Sequence, residues 1–410
     1  MANTLLTRLE ITRKAIRLFI NSNAFVKNID RQYDSQFAVA GAKIGSTLRV
    51  RLPNDYTVTD GPGLSLQDTA EQQTTLTVAT QRHVDTGFST AEMALSLDDY
   101  AERITKPKMN NLGGNVAKTI ITAISQTAAN AKANFSGTTI ISPNAQTFVE
   151  AGAILDDNSA PLMGTKGDRK IVNDPWTDAR TSTSLQGLFN PSGPISEQYA
   201  IGGMKQALGF SWMRDQTVVK HTAGTFTAAA VSGANQTGTS ITTGAQTGNL
   251  AVGDIITFAG VNAVNRVTKQ STGMARQFVV TTATVGGTST SISIYPALIP
   301  PNSITGTEVQ YQTVTASPAN LATISLYTAA SATYRKSLAY APEAITMVTA
   351  DLYMPTKGVI DSARAQFDGI SMRSISAYLP GSDQAINRDD VLFGQIAIRP
   401  EWIVGVYDAI

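Results

Sequence analysis

The chain has no cysteine among its 410 residues and only two histidines, His83 and His221. The first absence excludes disulfides, thiolate nucleophiles and cysteine metal ligands together. The second leaves neither a histidine pair for a metal nor a local serine–histidine arrangement, because the two fall in different predicted regions. Charge is scarce too, at 15% of residues against a usual share of about 25%. A surface rich in neutral Thr, Ser, Asn and Gln repels its neighbours weakly, which suits a protein that packs against copies of itself. No apolar run reaches the roughly 18 residues of a membrane span, and the run around Leu18–Ile20 is too short and interrupted for a signal sequence. The expectation is a chain made and kept in a cytoplasm, with no membrane partner.

What charge there is lies unevenly. The net charge of +1 argues against a dedicated nucleic-acid binder. Residues 1–51, however, hold nine Lys/Arg against Glu10, Asp30 and Asp34. Within that basic arm Leu5, Leu9, Ile16 and Phe19 recur at helical spacing, with Arg8, Arg13, Lys14 and Arg17 mostly around the other sides. An amphipathic basic helix of this kind can dock an acidic partner or face packaged nucleic acid; it can equally be a solvated face.

Beyond it, "STLRVRLP" and "TTLTVATQRHVDTGF" alternate like strands on either side of a turn-rich segment, which predicts a long hairpin with its tip near Asp60–Gly63. Ser89 or Thr90, with Glu92 close behind, predicts the cap of a short helix. Leu112, Val116, Ile120, Ile124, Ala128 and Ala131 form one stripe, predicting a helix over 108–133 that spans close to 40 Å. From about Gln216 to Gln312 come "TVVKHT", "GDIITFAG", "ARQFVVTTATV", "TSISIYPAL" and "EVQYQTV", divided by Gly/Asn/Ser/Thr turns. Strands at that spacing predict a small sandwich or barrel of about six strands. The Gly253-Asp254 turn and inward Ile255, Thr257/Phe258 and Val261 are its expected core, and Phe226, Phe258, Phe278, Tyr295 and Tyr311 mostly take inward positions. Helical and mixed texture returns after Ser317.

No catalytic constellation emerges. Asp85-Thr86-Gly87 matches the triplet of aspartic proteases, but that chemistry needs two carboxylates sharing a proton and the chain has no second triplet. A turn closing the hairpin is the plainer expectation. "GAKIGST" at 41–47 lacks the lysine and spacing of a phosphate loop. The pairs Asp98-Asp99, Asp156-Asp157 and Asp389-Asp390 are adjacent, so their side chains point apart on a helix or strand and form no paired-carboxylate site. No enzyme, cofactor or metal is expected.

The order of these parts resembles the major capsid protein of tailed bacteriophages, the Hong Kong 97-like fold, and in particular the coat proteins of P-22-like short-tailed phages, which carry a β-barrel insertion domain. The likeness is carried by "VGDIITFAGVNAVN" at 252–265 with "QFVVT" at 277–281, by "ASATYRKSLAYAPEAITMVTADLYMP" at 330–355, and by "DDVLFGQIAIRPEWIVGV" at 389–406 with Arg399-Pro400-Glu401. The stretch at 96–117 also reads like the exit of the coat E-loop and its spine.

The resemblance implies an α+β chain: N-arm at 1–44, E-loop hairpin at 45–88, P-domain with spine helix at 89–140 rejoined by about 385–410, A-domain at 141–215 and 314–384, and an inserted β-barrel domain at 216–313. It further implies a shell subunit, not an enzyme, that forms the hexamers and pentamers of an icosahedral head through a scaffold-dependent procapsid that expands as DNA is packaged. Its partners would be its own copies, a scaffolding protein, a portal protein and packaged double-stranded DNA held non-specifically, with room for a decoration protein. Assembly would take place in the host cytoplasm and the product would be the virion. Arg8, Arg13, Lys14 and Arg17 are then the expected scaffold- or DNA-facing residues, and Asp60, Gly61, Pro62, Gly63 and Leu64 the expected inter-subunit contact. The alternatives are a β-rich decoration protein binding a glycan and an encapsulin-like compartment shell.

Overall fold

The computed structural model describes residues 8–21, 23–33, 47–64, 66, 71–89, 104–164, 167–184, 206–301 and 309–410. The chain is a mixed α+β protein that divides into two compact units. One comprises Met1–Val50, Thr75–Ile120 and Ile345–Ile396, the other Arg51–Thr74, Ile121–Ala344 and Ala397–Ile410.

The first unit is built on a six-stranded sheet in the order Asp30–Tyr33, Ile345–Ala350, Gln384–Ala397, Ile370–Leu379 and Asp361–Phe367, with Thr80–Ser89 also paired to Gln384–Ala397. Helix α1 (Arg8–Asn21) lies across the strands Asp361–Phe367 and Ile370–Leu379. Its buried face is Thr12, Ala15, Ile16, Phe19 and Ile20, the spacing of one helical stripe. Leu9 does not join it and stands 38% exposed. A short helix, α2 (Ala24–Lys27), follows, its Val26 N–H donating to the Asn23 side chain at 3.0 Å.

The predicted second strand of the hairpin breaks in two. Gln73–Thr77 pairs with Thr47–Arg51, whereas Thr80–Ser89 pairs antiparallel with Gln384–Ala397. Gly394 permits the crossing, since a Cβ there would sit 2.3 Å from the Thr77 carbonyl oxygen. Asp85-Thr86-Gly87 is consequently strand interior, opposite Arg388, Asn387 and Ile386, and not a closing turn. The helix expected after Ser89 and the loop at 41–46 lie outside the described residues.

The neighbours Asp389 and Asp390 do point to opposite faces, and both are buried. Asp389 meets Lys108 at 2.7 Å. Asp390 is held by Arg373, with Nε to Oδ1 at 2.9 Å, and by the Gln81 amide at 2.9 Å. Lys108 also donates to the Asn387 carbonyl at 3.1 Å.

Lys108 sits at the start of helix α3 (Lys106–Thr127), which ends six residues short of expectation. Its 22 residues span about 33 Å. Near its end Ser125 and Thr127 hydroxyls donate back to the Thr122 and Ile124 carbonyls, a local competition that weakens a helix terminus. Ala131 and Ala133, expected on or beside the helical stripe, instead belong to the strand Asn130–Ser136, parallel to Ile403–Asp408.

The second unit holds an eight-stranded sheet, ordered Gln206–Ala207, Phe210–Arg214, Lys170–Asn173, Thr333–Tyr340, Ile403–Asp408, Asn130–Ser136 and Thr139–Ile141, with Lys220–Thr222 also paired to Thr333–Tyr340. Helix α4 (Ala145–Asp157), started by a reciprocal Asn144–Thr147 capping box, packs Phe148, Ala151 and Leu155 onto this sheet at Ile171, Phe210, Val404 and Val406.

The same unit contains a five-stranded antiparallel sheet, ordered Gly238–Thr243, Thr290–Leu298, Ser271–Val280, Ile255–Val264 and Ile324–Leu326. Its core gathers Phe226, Val231, Ile241, Phe258, Val261, Phe278 and Ile292. "EVQYQTV" is not a strand there; its middle is a 3-10 turn at Val309–Tyr311. A strand not foreseen, Gly238–Thr243, arises from the Thr/Gly/Ala-rich stretch at 222–250. Simple alternation also fails at its base. Ile256 faces the core of this sheet, while Ile255 faces Ala129, Ala131, Tyr334 and Tyr407 of the neighbouring layer, so consecutive residues are both buried.

Breaking the buried Lys108–Asp389 pair leaves an uncompensated charge, which costs about 3–5 kcal/mol. Lys108→Met should therefore lower the stability of the unassembled subunit by roughly that amount in chemical denaturation. The double variant Lys108→Met/Asp389→Leu should recover most of it. Equal losses in both variants would show that the charge pairing is not what the site depends on.

Candidate assembly surfaces

The two groups of residues expected at contacts belong to different units. On α1 of the first unit, Arg13, Lys14 and Arg17 are exposed, opposite the buried stripe, and the Arg17 guanidinium lies 5.4 Å from the centre of the Phe367 ring. Arg8 begins the helix, and its side chain lies outside the described residues. The helix is thus docked on its own sheet, with a basic face left outward.

In the second unit Asp60, Gly61, Pro62, Gly63 and Leu64 are all exposed, and Gly61 takes a φ of 97° that favours glycine. The surrounding loop carries an apolar set that the turn pattern did not single out. Tyr56 is 60% exposed, Val58 95%, Leu64 88% and Leu66 86%. Scattered single apolar residues are ordinary, but four large ones within eleven positions make a surface that gains by being covered.

The loop is tied down at its base by charge. Asp55 meets Arg266 at 2.9 Å, and the other arm of that guanidinium meets Glu401 at 2.8 Å. Glu401 also takes Arg399 at 3.2 Å and the Tyr295 hydroxyl at 3.1 Å, while Arg399 lies 5.0 Å from the centre of the Trp402 ring. Burial works against the Arg266 charge, but the Glu401 and Asp55 carboxylates outweigh it and raise its pKa. Burial and then the neighbouring Glu401 push the Tyr295 hydroxyl well up. Arg399-Pro400-Glu401 is therefore a clasp on the five-stranded sheet, and its partner Arg266 carried no signal in the sequence beyond an ordinary turn.

A second buried polar cluster lies at Asp254. Its carboxylate accepts from the Ala251 N–H at 2.8 Å, the Gly224 N–H at 3.1 Å and meets His221 Nε2 at 2.8 Å. Nearby, the Lys336 ammonium donates to the Ser125 carbonyl at 2.6 Å and lies 5.3 Å from the centre of the Tyr407 ring. Gly405 makes the space, because a Cβ there would stand 2.6 Å from Lys336 Cε. Burial pulls the Lys336 pKa down to about 7, with Asp254 opposing. The unfolded value is near 10.4, so between the two the unfolded chain binds a proton that the folded chain has shed. Stability should then rise with pH from about 7 toward 9.5, at up to about 1.4 kcal/mol per pH unit. Lys336→Met should flatten that rise, as read from denaturation midpoints across the window; an unchanged slope would contradict the assignment.

Phe226, Phe258, Phe278 and Tyr311 are buried. They serve the core and do not offer a stacking face, so the glycan-binding alternative is not favoured. Among the described residues no group of three or more Asp, Glu or His is placed to hold a metal.

Among curated proteins none matches this chain. Among solved structures it is similar to the capsid of the cyanophage P-SCSP1u, at 11% identity over 94% of this chain and 88% of that one, with a TM-score of 0.45. The capsid of Ralstonia phage GP4 gives 6% identity over 93% of each chain and a TM-score of 0.45. The I-domain of the CUS-3 coat protein gives 27% identity over 24% of this chain and 93% of that one, with a TM-score of 0.20. The family described as P22 coat protein, gene protein 5, matches residues 236–407. That span takes in all five strands of the five-stranded sheet, the Arg399-Pro400-Glu401 clasp and all but the last residue of the strand Ile403–Asp408, and it implies a structural role. The family match supports a major capsid protein of tailed phages, the family that the order of elements in the sequence resembles.

Proposed function

We propose that this chain forms the icosahedral head shell of a tailed phage, assembling through a scaffold-dependent procapsid that expands as DNA is packaged. The observation that carries the reading is the exposed apolar loop around Asp60–Leu64, on a chain whose coat-protein match runs through 236–407. A loop bearing Tyr56, Val58, Leu64 and Leu66 outward reaches its low-energy state when an adjacent subunit covers it. It takes the place of the E-loop at 45–88. The strand-rich insert is assigned to 216–313, the N-arm to 1–44, the spine and closing P-domain to 89–140 with 385–410, and the A-domain to 141–215 with 314–384.

The exposed Arg13, Lys14 and Arg17 face is assigned to the shell interior, meeting scaffolding protein first and packaged DNA later. A basic face binds an anionic partner without sequence preference, as an inner wall requires. A portal protein for DNA entry and assembly in the host cytoplasm belong to the same reading, and the outer surface leaves room for a decoration protein.

Deleting residues 60–64 should leave folded, soluble subunits that no longer close into shells under electron microscopy. Intact shells from the deletion would overturn the loop's role. Arg13→Ala, Lys14→Ala and Arg17→Ala combined should abolish scaffold-dependent assembly while lowering subunit stability by no more than about 1 kcal/mol, the loss of the exposed Arg17–Phe367 contact included. Normal assembly with scaffold would remove these residues from that contact.

A further inference from the structure

A cavity of about 170 Å³ in the second unit has six charged residues in its wall: Asp55, Arg266, Lys269, Arg276, Arg399 and Glu401. Both carboxylates are already engaged, Asp55 with Arg266 and Glu401 with Arg266 and Arg399. Two cations are left over. Arg276 is 6% exposed and its Nε has no hydrogen-bond partner; the Lys269 ammonium is enclosed and has none either, among the described residues. Burial lowers the pKa of both, and the opposing pull of Asp55 on Lys269 and of Glu401 on Arg276 does not make up for it. Buried guanidinium and ammonium groups are ordinarily paired, and leaving one unpaired costs several kcal/mol. Lys269 is also held at a φ of 56°, in a tight turn where the Asn265 side chain accepts from the Val267 and Thr268 N–H groups and the Lys269 N–H donates to the Asn265 carbonyl.

We propose that this cavity is a binding site for a divalent oxyanion of the phosphate class, held between Arg276 and Lys269. The charge balance selects the class. Four cations against two carboxylates leave two positive charges, which a monovalent anion would only half neutralise. The volume is several times the roughly 30 Å³ share of one water, enough for such an ion with part of its hydration. The same wall belongs to the Glu401 clasp, so the bound anion would brace the turn Asn265–Gln270 against the segment at Arg399. It would act as a counter-ion that completes the junction between the five-stranded sheet and the closing strand.

The test is a titration of the full chain, as unassembled subunits, with inorganic phosphate at constant ionic strength made up with chloride. Calorimetry and thermal unfolding are read together. The expected result is one saturable site and a rise in Tm that follows its occupancy. Arg276→Met should weaken phosphate binding at least tenfold. Because Arg276 is buried, Lys269→Met on the half-exposed turn supplies a second variant that keeps the fold and should weaken it similarly. Lys220→Met, at an exposed lysine outside the cavity wall, should leave it unchanged. The proposal is overturned by a wild-type response no larger than that to chloride, or by one that both cavity substitutions leave intact. A phosphate response that appears only after shells have formed also overturns it, since the anion would then sit at a junction between copies.

Discussion

The second unit depends on one carboxylate. Glu401 stands just before the closing strand and takes Arg266 from the turn after Ile255–Val264, Arg399 from its own segment and Tyr295 from the strand Thr290–Leu298. Its backbone carbonyl accepts from the Asn130 side chain at the head of the neighbouring parallel strand. Through Arg266 the same point reaches Asp55 at the base of the exposed loop. Four segments distant in sequence therefore share one half-buried charge network. Such a network is unforgiving: if Glu401 were removed, Arg266 and Arg399 would face each other with Asp55 as the remaining carboxylate in reach.

This arrangement bears on what was legible in the sequence. Arg399-Pro400-Glu401 stood out as a short recognisable motif, but nothing local to it names Arg266, 135 positions away. The same holds for Asp254, whose Gly253-Asp254 turn is readable while its partner His221 is not. Periodicity performed well where side-chain size fixed the period. The α1 stripe of Ile16 and Phe19 is buried as expected, and so are Phe258 and Val261. It failed where alanines fit either period, since Ala131 and Ala133 satisfy a helical and an alternating pattern equally well. There the parallel partner Ile403–Asp408 decides. It failed again at Ile255 and Ile256, because a strand covered on both faces loses its alternation.

The residues proposed for contacts were legible to a different degree. The turn chemistry of Asp60-Gly61-Pro62-Gly63 marked an exposed tip, which requires only local backbone preferences. The apolar residues flanking it, Tyr56, Val58 and Leu66, look in sequence like an ordinary strand pattern. Only their exposure separates them from a core strand, and exposure depends on what the rest of the chain covers. A basic helix is similarly ambiguous by pattern alone. The packing of α1 on its sheet shows which face is spent on the fold and which remains outward.

Scarce charge acquires a further meaning once its placement is known. Lys108, Asp389, Asp390, Asp254, Arg169 and Asp408 are all buried, although charged residues are almost never so unless paired. Drawing them inward makes the outer surface still more neutral than the 15% total suggests. Interior ion pairs contribute little net stability, but they penalise every wrong packing in which a charge loses its partner. A subunit of the proposed shell needs that asymmetry. Its own fold must have one solution, while its contacts with neighbours must accommodate more than one geometry. Contacts made by an apolar loop and neutral side chains vary smoothly with small displacements, whereas a bidentate ion pair does not. Placing the directional interactions inside and the non-directional ones outside reconciles the two demands.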